Sequence, residues 1–147
     1  MEKGKTVLVC VTGQHDCDRL IRTGKEIAGE KSLALQVLCV QPNSFGFETD
    51  CGELEYLRQT ARDAGAEMSV YFNDDAALTA ASVAKHIGAA RIVTGMAGSP
   101  ASGFIEILHR LLPSVPISMV AKDRTIYNIY PAKRGETAAK SSLLKSN

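Results

Sequence analysis

Two short runs of nearly unbroken apolar residues constrain this chain most: Thr6-Val7-Leu8-Val9-Cys10-Val11 and Leu35-Gln36-Val37-Leu38-Cys39-Val40. A strand with one wet face alternates apolar and polar residues, whereas a strand buried on both faces reads as a continuous apolar run. Both runs therefore predict central strands of a sheet covered by helices on its two faces. The segment between them has helical spacing, with Leu20, Ile21, Gly24, Ile27 and Ala28 on one stripe and Asp16 as the expected N-cap. A strand, a helix and a second central strand make a βαβ unit, and the pattern then repeats.

Leu54, Leu57, Ala61 and Ala64 mark a second helix stopped by Gly65. In Glu67–Phe72, Met68, Val70 and Phe72 alternate with Glu67, Ser69 and Tyr71, as at a sheet edge. Asn73 or Asp74 is placed to cap a third helix carrying Leu78, Ala81, Ala84 and Ile87 and ending at Gly88. Arg91–Thr94 is a fourth strand. A glycine-rich turn follows, then a fourth helix with Phe104, Ile105, Leu108, Leu111 and Leu112, and a fifth strand over Pro116–Ala121. The fold class is α/β, with a doubly wound, five-stranded parallel sheet in the order 3-2-1-4-5. That order puts the continuous runs inside and the alternating ones at the edges, and keeps each crossover right-handed.

Length and composition fit a single domain. A chain of 147 residues buries roughly two thirds of its unfolded surface and needs no staples. No apolar run reaches the length of about 20 residues that spans a bilayer, and Met1–Lys5 carries no apolar leader, so a cytoplasmic location is expected. Cys10 and Cys39 sit inside apolar runs, Cys17 in a helix pattern and Cys51 in a loop; none forms a C-x-x-C pair. Core packing, rather than a metal site or a disulfide framework, is the reading for Cys10 and Cys39. The net charge of +1 divides into −3 over residues 1–121 and +4 over 122–147, which excludes a general nucleic-acid binder. Residues 1–131 are expected to form the domain and 132–147 a disordered basic tail.

In the 3-2-1-4-5 order the connections reverse direction between strands one and four. Ligands of open α/β sheets bind at that switch point, outside the carboxyl ends of the strands. Those ends are Thr12-Gly13 and Gly95. The turn Gly95-Met96-Ala97-Gly98-Ser99-Pro100-Ala101-Ser102-Gly103 lets a backbone approach a ligand closely, and the helix after it aims unpaired N–H groups at the same space. Ser99 and Ser102 add hydroxyls. The alternative is an ordinary turn in which Ser102 caps the helix.

This element order over residues 5–121 resembles the universal stress protein family. Thr94-Gly95-Met96-Ala97-Gly98 matches the first half of that family's nucleotide signature, G-x2-G-x9-G-[ST], and Leu112–Val120 resembles its closing helix-to-strand segment. The opening Val9–Ile27, with Arg19-Leu20-Ile21-Arg22, is similar to the stress-protein-like segment of potassium-sensing histidine kinases. The resemblance implies an adenine nucleotide alpha hydrolase-like fold and a non-catalytic regulatory domain in stress response. It also implies ATP or AMP as ligand, with no metal. The nucleotide site would comprise Thr12, Gly13, Val40, Gly95, Ala97, Gly98, Ser99, Ser102 and Gly103, with Thr12, Gly13 and Val40 walling the adenosine. Two departures stand. The second signature glycine falls on Leu108, before His109, counting forward from Gly98, or on Gly103 counting back from Pro116; the latter leaves four residues where the signature has nine. Strand one ends Val11-Thr12-Gly13, without the carboxylate that the family's binding members carry there.

The resemblance further implies a homodimer, through strand five and Thr125–Pro131, whose Ile and Tyr residues alternate; a strand packing on its own subunit is the other reading. A regulatory protein partner is expected, and neither nucleic acid nor membrane. Two rival functions remain: a nucleotide-independent dimeric interaction module with a vestigial cleft, and a weak ATP hydrolase or pyrophosphatase. For the latter, Thr12–Cys17 is similar to the S-G-G-x-D-S loop of ATP pyrophosphatases, with Gln14 and Cys17 at variance. His15 beside Asp16 is read as a solvent-facing residue next to a helix cap, and His86 as surface.

Overall fold

The computed structural model describes residues 5–12, 15–43, 51–96 and 103–131. Six strands and four helices follow one another in the order β1 (Thr6–Val11), α1 (Asp18–Lys31), β2 (Ala34–Gln41), α2 (Cys51–Asp63), β3 (Glu67–Phe72), α3 (Ala76–Ile87), β4 (Ala89–Gly95), α4 (Phe104–Leu111), β5 (Ile117–Val120) and β6 (Ile126–Ile129). They make one sheet in the order β3-β2-β1-β4-β5-β6. The first five strands are parallel, and β6 runs antiparallel to β5. The doubly wound order 3-2-1-4-5 is as the sequence predicts. The 132–147 tail lies outside the described residues.

All six residues of β1 are buried because the strand has a partner on each side and helices on each face. Its pleat feeds two cores. Val7, Val9 and Val11 pack with Leu20, Ile21, Val37, Leu57 and Val93 under α1 and α2. Leu8 and Cys10 pack with Leu38, Ala80, Ala84, Ile92, Leu108 and Ile117 under α3 and α4. α1 can lie directly on β1 only because position 24 is glycine: a Cβ there would collide with Val9 Cγ2.

Several local expectations are corrected. A 3-10 turn over His15–Cys17 precedes α1, so Asp16 is not its N-cap; Cys17 occupies that position and makes no side-chain cap. The cap of α3 is Asp75, whose Oδ1 accepts from Leu78 N at 3.0 Å. Asn73 instead accepts from Asp75 N, and Asp74 Oδ1 accepts from Asn43 N at 2.8 Å, fastening the end of β3 to the residues after β2. Three adjacent residues with capping chemistry share the work, and spacing alone did not say which one faces the helix. Cys51 opens α2 rather than lying in a loop, and it is exposed. In β3 only Met68 packs on a core, while Val70 and Phe72 are 38% and 49% exposed. A strand at the rim has neighbouring side chains on one flank only, so its inward positions keep solvent on the other.

The largest correction is at the other rim. β5 is not an edge strand: β6 pairs with it in the same chain, Ile117 opposite Ile129 and Val120 opposite Ile126. An exposed strand edge leaves a row of unpaired backbone groups, and an adjoining segment with β character satisfies them at little entropic cost. The turn between the strands is closed by Ala121 N to Thr125 O at 2.8 Å and by Asp123 Oδ1 accepting from Thr125 N. Ser118 Oγ, fully buried, donates to Asn128 Oδ1 at 2.6 Å and accepts from Arg91 Nη1 at 2.8 Å. That polar bridge crosses β4, β5 and β6 and holds their register.

Candidate functional site at the β1–β4 switch point

β1 and β4 lie side by side, with Cys10 opposite Thr94, and from these two strands the chain runs in opposite directions across the sheet. Their carboxyl ends therefore flank the crevice. Thr12, immediately after β1, is exposed, and its Oγ1 lies 3.4 Å from Cys17 Sγ. Gly95 is the last residue of β4, and Met96 beyond it is exposed, its N–H donating to Val120 O. Gly103 is the N-cap of α4, with φ of 54° in the left-handed region. It contributes no side chain to satisfy the first-turn N–H groups. Ser102, the alternative cap of this helix, lies outside the described residues.

Of the nine predicted site residues, Thr12 and Gly95 are brought to the paired strand ends, and Gly103 opens α4. Val40 is half-buried on β2, beside β1, and packs toward the α3/α4 core. Gly13, Ala97, Gly98, Ser99 and Ser102 lie outside the described residues.

One side chain at the site, met in the sequence only within the stretch Arg19–Arg22, was not read there as a site residue. Arg19, in the first turn of α1, reaches over the end of β4 to β5: Nε donates to Ala121 O at 3.2 Å and Nη2 to Val120 O at 3.3 Å. Nη1 donates to Asp16 O at 2.9 Å and pairs with Asp16 Oδ2 at 3.3 Å. The guanidinium passes so close to Gly95 that Nη2 stands 3.4 Å from where a Cβ would be. A sequence signal did exist. A cation in the first turn of a helix sits at the wrong end of the macrodipole and calls for an explanation. The neighbouring Asp18 is engaged elsewhere, accepting from Tyr56 Oη at 2.7 Å and pairing with Arg22.

Burial sets the thiol chemistry. Cys10 is pushed up to about 12 by desolvation. Cys39 is raised for the same reason, with the Gln41 amide, whose Nε2 donates to Sγ at 3.2 Å, opposing in part. Both are core residues, as the sequence predicts. Among the described residues no group of three His, Cys, Asp or Glu side chains is placed to hold a metal ion. A groove of about 250 Å³ bordered by Arg22, Lys25, Glu26 and Asp63 runs between α1 and α2. It follows the helix flanks, away from the strand ends, and mixes charges of both signs.

A doubly wound parallel sheet with a crevice at the β1–β4 switch point puts the chain in the class of open α/β folds that bind ligands outside the carboxyl ends of their strands. Within that class the chain has the universal stress protein fold. It superimposes on the universal stress protein of Archaeoglobus fulgidus with a TM-score of 0.58 at 15% identity, covering 80% of this chain and 93% of that one. A universal stress protein in complex with cAMP gives 0.63 at 17% identity, over 82% and 99%. A universal stress protein family member from Burkholderia pseudomallei gives 0.57 at 19%, over 80% and 96%. No family model matches the sequence, and no curated protein matches it.

Proposed function

We propose that this domain is a non-catalytic, ligand-responsive module that binds a small adenine nucleotide outside the carboxyl ends of β1 and β4. The observation that carries the reading is the opening of α4 by Gly103 at that crevice, where a backbone without a Cβ lets a ligand approach closely. A helix N-terminus, the positive end of the helix dipole, suits a phosphate. The described rim fits such a group, since Gly95 and Gly103 present backbone without a Cβ. The likeness to the cAMP complex supports an AMP-type ligand. The turn, with four residues between Gly98 and Gly103, offers less cradle for a triphosphate, so AMP is favoured over ATP. Four free thiols fit a reducing cytoplasm, and no helix among the described residues is long and apolar enough to cross a membrane.

Native mass spectrometry of the purified protein and calorimetric titration with AMP, cAMP, ATP and cyclic dinucleotides test this. Retained nucleotide, or micromolar binding of AMP lost in G98D without loss of folding, supports the reading. No binding of any nucleotide overturns it.

A second reading, an interaction module acting through self-association, is favoured by the outer rim of the sheet. Ile126, Tyr127 and Tyr130 are exposed there, at the edge of β6 that pairs with no other strand among the described residues. We propose that two copies join through this segment.

A further inference from the structure

We propose that Arg19 is the anion-recognising side chain of the crevice and makes the site select a phosphate-bearing nucleotide over the neutral nucleoside. The inference rests on the nucleotide reading above and adds to it the residue that sets ligand charge.

Three features of Arg19 converge. It is desolvated: its side chain is 13% exposed, whereas the Asp16 carboxylate it meets is 53% exposed and stands at 3.3 Å. Such a surface pairing offsets little of a buried charge. Its other acceptors, the carbonyls of Val120, Ala121 and Asp16, are neutral. It is held rigidly, since two carbonyls of one strand end grip Nε and Nη2 together. A cation whose ordering entropy is already spent binds an anion more tightly than a free surface arginine does. It also lies against Gly95 at the end of β4, its Nη2 3.4 Å from where a Cβ would stand, on the rim of the proposed crevice. Of the five guanidinium N–H groups, the contacts among the described residues engage four, leaving one on Nη2, the nitrogen nearest Gly95. A phosphate oxygen accepting there makes a charge-assisted bond in a site of low dielectric.

Calorimetric titration of the full chain with AMP and with adenosine separates this role from a structural one. The wild type is expected to bind AMP at least tenfold more tightly than adenosine. In R19Q that ratio falls toward one, an AMP-specific loss of about ten- to a hundredfold, with adenosine affinity retained. A wild-type ratio in R19Q, or an equal loss for both ligands, overturns the proposal; the latter makes Arg19 a strap between α1 and β5 only. D16N is the second variant, informative even if R19Q does not fold, because Asp16 is exposed and caps nothing. It removes the competing carboxylate and is expected to tighten AMP about two- to fivefold while leaving adenosine unchanged; no change for AMP counts against the proposal. If the wild type binds adenosine and AMP equally, this inference fails and the nucleotide site stands. If it binds neither, both fail.

Discussion

Cys10 sits in the centre of the sheet with its thiol held protonated by burial, raised from an ordinary 9.0 to about 12. Between those values the unfolded chain releases a proton that the folded chain keeps. Its contribution is therefore fully present below pH 9 and is lost as pH rises toward 12. One such group costs about 1.4 kcal/mol between pH 8 and pH 10. Urea unfolding of wild type and C10A at those two pH values is expected to show the alkaline loss reduced by about that amount in the variant. Asp75 carries a second residue-scale prediction. Its Oδ1 satisfies one of the orphan N–H groups of α3, so D75A should lower stability by about 1 kcal/mol. D75N, which keeps a capping acceptor while removing the charge, serves as the control for lost charge in the same denaturation series. Capping chemistry at 73–75 was legible in the sequence. The residue that performs it was not, because all three side chains are competent and the choice depends on where the chain leaves β3.

At the scale of elements, α1 shows how one helix can hold two glycines of opposite meaning. Gly24 faces β1, where a Cβ would strike Val9 and press on Leu35; Gly29 has nothing within 4 Å. G24A gains about 1 kcal/mol of helix propensity but overpacks a filled core, and a net loss of about 1–2 kcal/mol is expected. G29A keeps the propensity gain with no collision and should stabilise by up to about 1 kcal/mol. Thermal unfolding of the pair, moving in opposite directions, checks the contact directly. The apolar stripe Leu20, Ile21, Gly24 and Ala28 was readable as 3–4 spacing. Arg19 escaped that reading because its acceptors lie about a hundred residues away, at Val120 and Ala121, and no local pattern contains them.

The molecule as a whole is a three-layer sandwich, with α1 and α2 on one face of the sheet and α3 and α4 on the other. β6 extends the sheet; Ile126 within it and Tyr130 just after it are exposed, on the alternate positions that include Asn128. If two copies join there, sedimentation should show a wild-type dimer that I126K/Y130K converts to a monomer with little change in melting temperature. A wild type that stays monomeric at high micromolar concentration removes the self-association reading.

The sequence by itself determined the element order, the parallel core and the strand order 3-2-1-4-5. It also put Thr12 and Gly95 at the carboxyl ends of two neighbouring strands. These follow from periodicity and crossover handedness, which are local or topological properties of the chain. Tertiary structure alone decided that Thr125–Pro131 folds back onto β5 in the same chain, that Val70 and Phe72 of β3 stay exposed, and that Arg19 closes over Gly95. Each of these depends on which distant groups are left unsatisfied once the layers have packed. A backbone edge, a strand flank and a pair of carbonyls acquire a need for partners only in the assembled fold.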